Sequence, residues 1–155
     1  MGFEAVAILP RTGIGAIRFG QSRSEIRDLL GDPGEVDASG VPGRETWEYE
    51  DLDLDVSFDD DADWRVTSLC AQHPRFTLRG TSVVGRPLEA VLRLVPMLKL
   101  GRCERDDDSP FGPTLEFPEF DVTVVFRDGI ADFIDWYVPI DDRDEYVWPR
   151  LLRVA

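Results

Sequence analysis

The chain has 155 residues, 43% of them apolar, and carries 31 acids against 17 bases for a net charge of −14. That length holds one compact domain, or two fused half-domains, around a real hydrophobic core, and the ordinary apolar content means that the charge does not imply disorder. The acid surplus argues against DNA or RNA as a partner, since few cations are present to release phosphate counterions, and no apolar run of about 18 residues could cross a membrane as a helix.

Residues 3–9 are expected to form a first strand. With no basic n-region and with Glu4 inside the apolar stretch, the N-terminus makes a poor signal peptide. Val6 stands where a myristoylation signal needs Ser or Thr, so the expected location is cytoplasmic. Residues 11–15 are a loop. Ser22 and Glu25 make a capping box, behind which Ile26, Leu29 and Leu30 fall on one helical face. Gly31 and Pro33 end that helix, and residues 32–44 form a Gly/Pro-rich loop. Residues 45–50 alternate, with Trp47 and Tyr49 on one face and Glu48 and Glu50 on the other. After Asp51 the run Leu52, Leu54, Val56, Phe58 points inward while Asp53, Asp55 and Ser57 point outward. Asp59, Asp60, Asp61 and Asp63 belong to a turn, and residues 65–71 to the next strand.

The second half repeats this layout. Pro87 suits a first helical turn, and Leu88, Val91, Leu92 and Val95 form the buried stripe of a helix near 86–96. Residues 102–105 form an extra strand before the acidic loop 106–113, which holds Asp106, Asp107 and Asp108. Leu115 and Phe117 start the next inward series, continued by Phe120, Val122, Val124 and Phe126. Asp128-Gly129 is a strong hairpin turn, and residues 130–138 return as a strand. Residues 141–153 form a short helix, with Pro149 against it.

The correspondence is detailed. The helix of 19–31 recurs at 84–96, and Trp47, Tyr49, Leu52, Asp53, Leu54, Val56 and Phe58 map onto Leu115, Phe117, Phe120, Asp121, Val122, Val124 and Phe126. Such self-similarity is the mark of a duplicated module. The expected fold is α+β: two tandem helix-plus-antiparallel-strand units, 1–75 and 76–140, joined into one sheet with helices on one face, and an extension at 141–155. The expected core is Leu29, Leu30, Trp47, Leu54, Phe58, Val91, Leu94, Phe117, Val122, Phe126 and Trp136.

The stretch from Ile17 to Pro33, with its Phe19-Gly20, Ser22, Glu25-Ile26 and Leu29-Leu30-Gly31, followed by Trp47-x-Tyr49 and a strand ending at Phe58, resembles the repeat of the SmpA/OmlA lipoproteins. The β-lactamase-inhibitory proteins carry two such units. The looser second copy runs from Gly85 to Tyr137, so the resemblance covers about two thirds of the chain. It implies a saddle-like antiparallel sheet that grips another protein. The chain departs from those exported relatives in lacking a signal peptide, a lipobox cysteine near the start and a cysteine pair in each unit, so the partner does not carry over.

No catalytic or metal motif stands out, and no cofactor is expected. Gly13-Ile14-Gly15 begins like a dinucleotide fingerprint, but Arg18 replaces its third glycine. Asp59, Asp61 and Asp63 have calcium-loop spacing, yet Trp64 and Cys70 stand where glycine and glutamate are needed. Cys70, Cys103 and the lone His73 are too few for a Cys/His zinc site; in a reducing compartment both cysteines are thiols, and export would allow one Cys70–Cys103 bridge. Cys70 and His73 lack an orienting acid set by the sequence.

If helices cover one side of the sheet, the other displays Glu48, Glu50, Asp53, Asp55, Glu116, Glu119 and Asp121, joined by Phe133, Asp135 and Tyr137. With the acidic turns 59–63 and 106–108, these residues form the expected partner-binding set. Acids steer a basic protein and aromatics anchor it. GC-rich codon bias, or adaptation to salt, would produce the same surplus: all bases but Lys99 are arginine. The leading expectation is a non-enzymatic inhibitor, an immunity protein or antitoxin that occludes a basic toxin. The alternatives are a small-molecule or peptide-binding module and a hydrolase with an acidic site.

Overall fold

Strand pairing, local and long-range, organises the molecule. The computed structural model describes residues 4–110 and 112–150. In chain order, β1 (Val6–Leu9), β2 (Gly13–Ile14) and β3 (Ile17–Arg18) precede helix α1 (Arg23–Leu30). Strands β4 (Glu35–Asp37), β5 (Arg44–Tyr49), β6 (Leu54–Asp59) and β7 (Arg65–Ala71) follow. Then come β8 (Phe76–Leu78), β9 (Thr81–Ser82), helix α2 (Leu88–Leu98), β10 (Glu104–Asp106), β11 (Thr114–Phe117), β12 (Val122–Arg127) and β13 (Ile130–Tyr137).

The strands make two sheets. Eight form an antiparallel sheet in the order β10-β11-β12-β13-β7-β6-β5-β4, and five short ones form a second sheet, β3-β2-β1-β8-β9. The long sheet thus consists of two meanders joined back to back through β13 and β7. The chain before each helix pairs with the start of its meander's last strand in the same way. Gly20 N–H donates to Val66 O while Val66 N–H donates to Gln21 O; sixty-five positions later, Gly85 and Ala131, then Ala131 and Arg86, repeat both bonds.

One face of the long sheet is the core. Its central ladder, Trp47–Val56–Leu69–Trp136–Val122–Phe117, crosses six strands, and no member is more than 2% exposed. Ile8, Ile14, Phe76 and Leu78 of the small sheet belong to the same apolar cluster. The Trp136 indole N–H donates to Gly13 O at 3.2 Å, a hydrogen bond from one sheet to the other.

These findings correct the α+β expectation of helix-plus-strand units with helices laid over one face. The protein is mostly β. The helices have 8 and 11 residues and do not form a covering layer; among the described residues they fully bury only Ile26, Val91 and Leu98. Capping proceeds as the sequence indicates, with Glu25 N–H donating to Ser22 Oγ at 3.1 Å. One turn of apolar spacing nevertheless does not decide how deep a helix sits. Leu29 is 45% exposed, and Leu30 and Leu94 are half-buried, so these three leave the expected core. The five-stranded sheet went unseen because strands of two to four residues have almost no periodicity, and because β1 pairs in parallel with β8 across the whole first meander. Residues 11–15, expected as loop, contain β2. Residues 141–150 are not helical; Ile140 pairs with Tyr146 instead. The rest of that expected helix, 151–153, lies outside the described residues.

Candidate functional site

Directly paired residues of a sheet share a face, and neighbours along a strand alternate. Beside the apolar ladder, on the opposite face, the register therefore builds a second row: Glu35–Glu48–Asp55–Cys70–Asp135–Thr123–Glu116–Glu104. It crosses all eight strands, and every member except Cys70 and Thr123 is a carboxylate. Like charges directly opposite one another destabilise a sheet, and here Glu35, Glu48 and Asp55 are consecutive, as are Glu116 and Glu104.

The electrostatics follow from that crowding. Partial burial raises the Glu48 carboxyl, and the Asp55 and Glu35 charges add to it. Asp55 is raised by burial and by Asp135, against a bond of 2.9 Å from the Gln72 amide. Burial likewise raises Asp135. Between these two acids the Cys70 thiol is pushed well above its ordinary value, first by burial and then by the Asp135 charge, so it is a poor nucleophile.

One step along the strands lies a hydroxyl row, Thr46–Ser57–Ser68, ending at Tyr137. Thr46 and Ser57 share a hydrogen bond of 2.8 Å. The Tyr137 phenol, pushed up to about 12 by burial and the Asp135 charge, stays protonated, and the residue is 38% exposed. Arg44 grips Asp59 with two N–H donors at 2.8 and 3.1 Å, and the Thr67 hydroxyl donates to the same carboxylate at 2.6 Å. Burial acts to raise Asp59, but these bonds outweigh it and the carboxyl is lowered.

Two shallow depressions meet at Arg44 and Tyr137. One, about 280 Å³, has Asp55, Ser68, Asp135 and Val41 in its wall; the other, about 270 Å³, is bounded by Asp59, Ile140 and Tyr146. Val41 and Ile140 are more than half exposed. The face therefore combines apolar anchors with a surrounding field of acids.

The expected residues divide into groups. Glu48, Asp55, Phe133, Asp135 and Tyr137 stand on this face, with Asp59 at its margin held by Arg44. Glu50 and Asp53 do not. Glu50 opens a 3-10 turn (Glu50–Leu52), and Asp53 is left-handed at φ +52, 3.9 Å from the Arg75 guanidinium. Strand β6 begins at Leu54, two residues later than the alternation implied, which removes Asp53 from the row. Asp60, Asp61 and Asp63 form the β6–β7 turn, where Asp61 accepts from the Tyr146 hydroxyl at 2.7 Å. Asp106 lies in edge strand β10, Asp107 is paired with Arg105 at 2.8 Å, and Asp108 N–H donates to Asp106. Glu35, Glu104, Val41, Arg44, Ile140 and Tyr146 were missed. For Glu35-Val36-Asp37 a signal existed in the alternation of β4, hidden inside a Gly/Pro-rich stretch. Among the described residues, no three His, Cys, Asp or Glu side chains are grouped to hold a metal ion.

One consequence is testable without a partner. Because the folded Asp135 carboxyl is raised, the native state takes up its proton before the unfolded chain does, and stability falls as pH rises through the folded value. Asp135→Asn should therefore raise the melting temperature at pH 7. The gain should shrink on acidification and vanish below the ordinary carboxyl value of 3.8. Thermal melts of both proteins across that range check the sign; a variant less stable than wild type at pH 7 contradicts it.

No protein-family model matches the chain, and no curated protein matches it. In three dimensions it is similar to a solved extracellular protein containing an SCP domain from Bacillus anthracis str. Ames, with a TM-score of 0.50 and 14% identity over 87% of this chain and 50% of that one. The chain thus spans half the length of that protein, and at this identity the likeness is one of fold alone.

Proposed function

We propose that the open face of the eight-stranded sheet is a docking surface for a basic protein, and that the chain is a non-enzymatic inhibitor, of the immunity-protein or antitoxin type, acting by occlusion. The acid row crossing all eight strands carries this reading. Strands about 4.8 Å apart make a face roughly 34 Å wide, ample for the ~800 Å² that each partner buries in a standard interface. Carboxylates lined up against one another cost stability in the free protein, and a cationic partner relieves that cost on binding. The exposed Val41, Tyr137 and Ile140 supply apolar contacts beside the acid row. The resemblance to β-lactamase-inhibitory proteins supports the same use of a sheet.

The test is affinity capture from the source lysate with the wild-type protein and with Glu48→Lys/Asp55→Lys/Glu116→Lys, side by side. A basic protein retained by wild type, lost from the variant and eluted by salt is the expected result. Equal retention by both, or no retained protein, contradicts the reading.

A second reading has one observation behind it. Asp55 and Asp135 share a depression, and both carboxyls are raised, as a hydrolase needs of its general acid. Their strands are two spacings apart, about 10 Å. Hydrolysis of a model glycoside or ester, abolished by Asp135→Asn, would favour this reading over docking.

A further inference from the structure

An apolar cavity lies away from the acid row. It has a volume of about 430 Å³ and opens where the small sheet, the end of α1 and the turn before β6 converge. Its floor is core: Ile14, Ile17, Leu54 and Phe76 are each at most 4% exposed. Leu29, 45% exposed, stands in its wall. An exposed leucine over a concave apolar floor of this size has the character of a ligand site, since small-molecule pockets run from about 300 to 1,000 Å³ with apolar walls and few polar groups.

The polar groups determine the ligand. Glu4 and Asp51 line the cavity, both are exposed, and among the described residues neither has an ion pair or hydrogen bond. Arg75, the cation that lines it, is committed elsewhere. Its guanidinium donates to Leu52 O, stands 3.9 Å from an Asp53 oxygen and lies 4.6 Å over the Phe76 ring. An anionic head would meet two carboxylates and an occupied arginine. A cationic head would meet two uncompensated carboxylates on a chain of net charge −14, whose field concentrates cations.

We propose that this cavity binds a small amphiphile with an apolar body and an ammonium head, the body on Ile14, Ile17, Leu54 and Phe76 and the head between Glu4 and Asp51. The site is independent of the docking face: its loss leaves the acid row intact, and charge reversal on the row leaves the cavity intact.

Titration calorimetry of the full chain with octylamine, octanol and octanoate tests the proposal. Octylamine should bind, with octanoate at least tenfold weaker and octanol between them. Ala16→Trp, at an exposed position in the cavity wall, should abolish binding without unfolding the protein, as circular dichroism would verify. Glu4→Gln/Asp51→Asn should bring octylamine to the affinity of octanol. Octanoate binding as tightly as octylamine, octylamine binding unchanged in Ala16→Trp, or no binding of octylamine would each overturn the proposal. Binding that emerges only after removal of residues 1–3 would overturn it too, assigning the cavity to the chain's own N-terminus.

Discussion

Phe58→Ala and Phe126→Ala are each expected to destabilise the protein by about 3–5 kcal/mol. Both rings are fully buried, and they occupy matching places in the two meanders. Each lies directly at a register shift, Phe58 after Ser57 on β6 and Phe126 after Val125 on β12. The extra residue stands on the facing strand, Thr67 on β7 and Asp132 on β13, and sharpens the local twist, so the ring opposite it fills space the bend would otherwise leave empty. Phe58 also packs against Trp47 with ring centroids 4.8 Å apart. Neither site can collapse easily, because its walls are backbone-paired strands. Against a domain stability of roughly 5–15 kcal/mol, either loss is a large fraction. Urea unfolding followed by tryptophan fluorescence measures it, and a change below about 1 kcal/mol at either site contradicts its place in the core.

The second large effect is expected at Gly13. Its φ is +152, and a Cβ there would run into the Ile17 carbonyl across the β2–β3 pair. That oxygen belongs to backbone and cannot swing aside as a side chain would, so Gly13→Ala must open the pair. Strained backbone of this kind costs about 1–3 kcal/mol. Moving Gly13 also withdraws the acceptor of the Trp136 indole, and a buried donor left unsatisfied costs about 1–3 kcal/mol more. The expected loss is about 2–6 kcal/mol, accompanied by a shift in Trp136 fluorescence as the sheets part. Gly40→Ala is the control: its φ is not positive, and nothing lies within 4 Å of the added methyl. Equal stability of the two variants contradicts the account of Gly13.

The long sheet was largely legible because six of its strands are four to eight residues long with one wet face, so alternation marks both their existence and their direction. Trp47, Val56, Phe117, Val122 and Trp136 all point inward as the two-residue period requires. Edge strands β4 and β10 escaped in part, being short and embedded among Gly, Pro and Asp. The small sheet escaped almost wholly, because its central pairing joins residues near 7 to residues near 77, and no local pattern encodes a contact that distant. The acidic face was readable as a set of residues but not as a row. Alternation places Glu48 and Asp55 on one side, whereas their being neighbours, with Asp135 two strands further on, depends on register. Register also removed Asp53, whose left-handed backbone ends a 3-10 turn that looks like strand in the sequence. The cavity beside α1 left no trace, since its walls are assembled from segments far apart in the sequence, 4–6, 14–17, 29–30, 51–54 and 75–76.

The central claim is that carboxylates in register across the open face receive a basic partner. Stopped-flow association of the captured partner with wild type and with Glu48→Lys/Asp55→Lys tests it most directly, at salt from 0.1 to 1 M, where the Debye length falls from about 10 to about 3 Å. The account predicts association at least tenfold slower for the variant at low salt, the two rates converging at high salt, and a dissociation rate that responds to Tyr137→Ala more than to either charge. Association rates independent of both salt and charge reversal would contradict it, and would leave the acidity of this chain as a property of its composition alone.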